Sequence, residues 1–96
     1  AVMLPHSVAY NHDAAPHAMR RVARALDATD AVEGLFALNA RLGIPPGLGA
    51  LGFRESDIER AATLAVQKPY PNPRPVTEAG VRVLLEDALH GQRPER

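Results

Sequence analysis

Ninety-six residues fit one small domain or a piece of a larger one, and aromatics supply only 4% of them, so the core is thin at about 25 cal/mol per Å² buried. Basic and acidic residues balance to a net charge of zero, which argues against a phosphate-neutralising face and a nucleic-acid partner. Without cysteine, a bilayer-length apolar run or a basic leader, the residues give no disulfide framework, thiolate metal site or membrane partner, and the expected setting is cytoplasmic.

The opening run, Ala1 to Asn11, carries two apolar stripes, Leu4 with Val8 and Met3 with Ser7 and Tyr10. Pro5 suits a first helical turn and would kink a helix that began earlier. A helix apolar on more than one face wants burial, so this opening is expected of a segment from inside a longer polypeptide. After a break at Asn11-His12-Asp13, Asp13 or Ala15 can cap a second helix, with Pro16 in its first turn. Met19, Val22, Ala23 and Leu26 form its apolar stripe, Arg20, Arg21 and Arg24 its solvated side, and it should end near Asp27.

Asp30 and Glu33 have capping-box spacing for a third helix, whose wide apolar face comprises Val32, Leu35, Phe36, Leu38 and Leu42. Gly43 and Ile44-Pro45-Pro46 stop it. The glycine-rich stretch from Gly47 to Phe53 holds at most one turn, and lacks the preceding strand and following lysine of a phosphate cradle. A fourth helix should span Glu55 to Gln67, with Ser56 and Glu59 as one possible start and Ile58, Ala61, Ala62, Leu64 and Ala65 facing inward. Thr77 caps a fifth, with Val81, Leu84, Leu85 and Ala88 inward and Gly91 ending it. Residues 92–96 should be a disordered tail. No stretch alternates like a strand, so the fold class is all-α: a small bundle of about five helices over residues 1–91.

Between the last two helices lies Lys68-Pro69-Tyr70-Pro71-Asn72-Pro73-Arg74-Pro75-Val76-Thr77. Its alternating prolines fix φ near about −65° and remove donors, so the loop is stiff and extended. A guanidinium on such a backbone binds a carboxylate at low entropic cost. Arg74 could equally cap helix carbonyls or pair with a surface acid.

No other constellation carries chemistry. His6, His12 and His17 stand six and five apart, which does not bring them to one helix face as metal ligands. His90 suits a helix C-terminus. Ser7 and Ser56 lack the context of a nucleophile.

Two motifs taken together point further. Leu4-Pro5-His6, followed by Tyr10-Asn11, resembles the "LPHxxxYN" helix of the group III, iron-type alcohol dehydrogenases, and Asn72-Pro73-Arg74 falls at that family's "NPR". Leu42-Gly43-Ile44-Pro45 looks like its "GIP" helix end, and the run from Pro69 to Thr77 is similar to the maleylacetate reductase branch. The resemblance covers residues 1–91 and implies the distal part of a dehydroquinate synthase-like helical domain, preceded in the whole enzyme by a nucleotide-binding domain. It implies reduction of maleylacetate to 3-oxoadipate with NADH or NADPH in aromatic-compound degradation, an expected homodimer, and iron or zinc in some relatives. The family's metal ligands and cofactor-binding glycines fall upstream of Ala1, so no catalytic, cofactor or metal residue carries over and the chain alone is expected to be inactive. His6, Tyr70, Asn72 and Arg74 carry over as substrate-binding candidates for a dicarboxylate. An alcohol dehydrogenase of the same family and a freestanding helical interaction module are the alternatives.

Overall fold

Five helices and three short 3-10 turns make up the computed structural model, which describes residues 1–68 and 70–94. Pro69 of the proline loop and the last two tail residues lie outside the described set. The helices are α1 (Leu4–Asn11), α2 (Pro16–Ala25), α3 (Ala31–Arg41), α4 (Ile58–Ala65) and α5 (Glu78–His90). No strand occurs among the described residues, as the missing alternation predicts.

The layout is a slab measuring 37 × 30 × 18 Å, its short side about two helix diameters. Helix α1 packs on both α3 and α5, α2 on α3, and α4 on α5, so α1 joins the two halves. Ile58, Ala62 and Leu85 form a buried cluster between α4 and α5, flanked by Met3, Leu48, Phe53 and Leu84. Ala62 and Ala88 are fully buried, the small side chains that let backbones approach closely.

Helix ends follow local chemistry. Asp30 caps α3 by accepting from the Glu33 amide at 2.9 Å, and Thr77 caps α5 by accepting from the Gly80 amide at 3.1 Å. Helices α2, α3 and α5 stop with a left-handed residue, Asp27, Gly43 and Gly91 respectively, and each makes the paired Schellman bonds back into its last turn. Gly47 must be glycine for a different reason. A Cβ there would come within 2.7 Å of the Leu89 carbonyl oxygen, where the chain crosses the end of α5.

Several expectations shift. The second helix ends at Ala25, because Asp27 (φ 53°) takes the left-handed position after it. Of the two cap residues expected for it, Ala15 takes the position, with no side-chain bond, and Asp13 contacts His12. A 3-10 turn over Glu55–Asp57 precedes α4, and Asp57, rather than Ser56 with Glu59, closes that end by accepting from the Arg54 amide at 2.9 Å. Leu42 and Leu64, expected inward, are 64% and 53% exposed. Leu42 is the C-cap of α3, and Leu64 lies one residue from the end of α4. Within the tail, Arg93 lies 3.4 Å from a Glu33 carboxylate oxygen and over the Phe36 ring, and Pro94 is buried. No described helix is long and apolar enough to cross a membrane.

Candidate functional site

The proline loop is fastened to the C-terminal end of α1 by two side chains. Tyr10 donates its hydroxyl to the Pro75 carbonyl at 2.6 Å and accepts from the Thr77 amide at 3.3 Å. The next residue, Asn11, exchanges two amide bonds with Asn72, at 2.7 and 3.3 Å, and its oxygen also accepts from the Arg74 amide at 3.3 Å. Asn72 donates further to the Arg74 carbonyl, which folds the Asn-Pro-Arg segment on itself. Proline stiffness explains why so few bonds are enough, since little backbone freedom remains to be lost.

Arg74 occupies a defined position within this clamp. Its guanidinium stacks 4.0 Å from the centroid of the Tyr10 ring, and one nitrogen donates to the Tyr10 carbonyl at 3.4 Å. Of the two uses that the sequence left open, the contact with a helix carbonyl is therefore present. That bond is long and engages one nitrogen, so the rest of the fork keeps donors for a ligand.

Tyr10 divides the expected site in two. On one side, His6 and Arg74 line a cavity of about 150 Å³ with Asp87 and Val83 of α5. On the other, Tyr70 and Asn72 border a smaller cleft of about 80 Å³ with Ser7, Asn11 and Val76. The four candidates thus lie on one loop-and-helix unit but line two hollows. Tyr70 is 59% exposed and Asn72 is half-buried in the clamp.

His6 is the unusual member. It is 2% exposed, and among the described residues neither ring nitrogen finds a hydrogen-bond partner. Burial lowers its pKa from the ordinary 6.5, while the charge of Asp87 works in the opposite direction. A neutral imidazole can donate from one nitrogen and accept at the other.

Two other histidines make contacts away from this site. His12 sits between Asp13 (3.0 Å) and Asp30 (3.3 Å) and ties the end of α1 to the start of α3. His17 is exposed and contacts Arg20 at 3.4 Å. No group of three or more histidine, cysteine or acidic side chains among the described residues could hold a metal ion.

Tyr10, Asn11 and Asp87 join the site without having been among its expected residues. A signal existed for the first two, since they close the same "LPHxxxYN" run that supplies His6. For Asp87 there was none, because its place depends on how α5 crosses α1.

Comparison with known proteins now decides the family. The model of the Fe-containing alcohol dehydrogenase family, C-terminal, matches residues 1–89. The chain belongs to that family.

Within it, the chain is 53% identical over 93 residues to the maleylacetate reductase of Burkholderia cepacia and 46% identical over 92 residues to that of Sphingobium indicum. These alignments cover 97% and 96% of this chain but 26% of each relative. Among solved structures, the maleylacetate reductase of Agrobacterium tumefaciens superposes with a TM-score of 0.91 at 42% identity, over 97% of this chain and 26% of that one. A putative alcohol dehydrogenase from Ralstonia eutropha JMP134 gives 0.91 at 43% identity, over 98% and 27%. The chain therefore spans about a quarter of the relatives it matches. Its all-helical bundle is the C-terminal region of this family of oxidoreductases.

Proposed function

We propose that this chain, over residues 1–91, is the C-terminal helical part of an NAD(P)H-dependent oxidoreductase that reduces maleylacetate to 3-oxoadipate in aromatic-compound degradation. The observation that carries the reading is the Arg74 guanidinium, held over Tyr10 beside the cavity that His6 lines. It joins a loop shared with maleylacetate reductases to a group suited to a carboxylate. The relatives' names supply the substrate, and the likeness to an alcohol dehydrogenase supplies the rival.

On this reading an upstream nucleotide-binding domain faces the loop, and the complete enzyme is a cytoplasmic homodimer. NADH or NADPH, bound mainly by that domain, provides the hydride for the carbon–carbon double bond. The residues of this chain contribute recognition. Arg74 pairs with one carboxylate of the dicarboxylate, Asn72 fixes the direction of the Arg74 backbone, and Tyr70 borders the second hollow. His6, a buried neutral ring, backs the substrate side of the cleft from within the wall of the cavity. On the family resemblance, iron or zinc takes its ligands from the part of the enzyme upstream of Ala1.

The experiment is steady-state NADH oxidation by the full-length enzyme with maleylacetate, set against simple aldehydes. Preference for maleylacetate, with KM raised at least tenfold in Arg74→Ala, is the expected result; loss of about 1.4 kcal/mol of binding corresponds to that factor. Preference for aldehydes would move the chain to the alcohol dehydrogenases. An unchanged KM in Arg74→Ala would remove Arg74 from the substrate.

A further inference from the structure

Buried polar atoms in folded proteins are satisfied by protein or by ordered water in roughly nine cases of ten. His6 contributes two that no protein group among the described residues satisfies. Its side chain lines a cavity of about 150 Å³, where a single water needs roughly 10–15 Å³. The walls are mixed, with Val83 and Leu84 apolar and Asp87 polar. Asp87 projects from the last turns of α5, and among the described residues its carboxylate makes no ion pair. The charged and titratable groups at this cavity are thus His6 and Tyr10 from α1, Arg74 from the proline loop and Asp87 from α5. Tyr10 and Arg74 are already committed to each other and to the loop, which leaves Asp87.

We propose that Asp87 is a positioning residue for His6, its carboxylate reaching the imidazole through water held in this cavity. An ionised carboxylate only accepts, so the intervening water donates one hydrogen to Asp87, and the carboxylate charge favours a lone pair rather than the second hydrogen on the ring side. In that arrangement the ring nitrogen on the cavity side carries the proton, the tautomer that a neighbouring negative charge favours. The other nitrogen is left as an acceptor, with one tautomer selected. Neutrality follows from burial, and orientation from Asp87. The inference deepens the substrate role proposed for His6 and rests on it for its functional meaning; the water-bridged pair itself does not.

Imidazole NMR on the 96-residue chain tests the pair directly. Long-range nitrogen–proton correlation reads the tautomer of His6, and water-selective cross-relaxation reads a long-lived water at its ring. The parent chain should show one dominant tautomer and a water signal. Asp87→Asn should give mixed tautomers and a titration midpoint shifted to lower pH, and Asp87→Glu should restore both. The same tautomer and midpoint in Asp87→Asn would overturn the proposal. The water measurement needs no variant, so a parent ring without a water contact would overturn it even if Asp87→Asn failed to fold. A full-length enzyme inactive toward maleylacetate would refute the proposed function and leave these ring signals untouched.

Discussion

The hydroxyl of Tyr10 lies 2.6 Å from the carbonyl oxygen of Pro75, sixty-five residues away. Through this bond and the Thr77 amide bond at 3.3 Å, one phenol positions both the end of the proline loop and the cap of α5. Tyr10→Phe keeps the ring under Arg74 and removes both bonds. The expected loss is about 1 kcal/mol in urea unfolding, with faster amide exchange at Thr77 and Gly80. Unaltered exchange at those two amides would show that the hydroxyl does not hold the loop.

Asn11 and Asn72 form a reciprocal amide pair, so removing either leaves the other with unmade bonds in a half-buried place. Each alanine variant should cost about 1–2 kcal/mol, and the double variant less than the sum. A double-mutant cycle measures the coupling; additive losses would mean that the two amides act separately.

Gly80 gives a prediction of sign. Alanine is the better helix former by about 1 kcal/mol, yet a Cβ at Gly80 would stand 2.9 Å from the Tyr10 ring and hydroxyl. Tyr10 cannot yield without breaking the clamp, so Gly80→Ala should destabilise by about 1 kcal/mol. In a Tyr10→Ala background only the contact with the Thr77 hydroxyl at 3.0 Å remains, and the same change should cost less. Thermal unfolding of the four proteins decides between clash and propensity.

His6 makes stability depend on pH. Its folded pKa is lowered from 6.5 by burial, so as pH falls through 6.5 the unfolded chain takes up a proton that the folded ring resists. The unfolded state then binds more protons, and stability declines with acidification until the folded pKa is passed. Above 6.5 the contribution is complete. His6→Gln, which does not titrate, should show a smaller fall in melting temperature over that window. Parallel curves for the two proteins would mean that His6 is not the group responsible.

The sequence by itself determined the all-α class, the Asp30 and Thr77 caps, the stops at Gly43 and Gly91, and the stiff loop. Each of these depends on neighbours within a few residues: a side-chain oxygen reaching an amide three positions on, a missing Cβ, a locked φ. The family was also legible, because the order of short motifs survives in one dimension. Tertiary structure decided the rest. Leu42 and Leu64 satisfy helical periodicity, but whether a stripe is covered depends on where the next helix stops. Tyr10, Asn11 and Asp87 are ordinary polar residues in the sequence; what makes them matter is contact across more than sixty positions or across a helix crossing. Local rules set the elements and the stiffness of the loop. Only packing could place Arg74 over Tyr10, bury His6 without a protein partner, and set Asp87 at the same cavity.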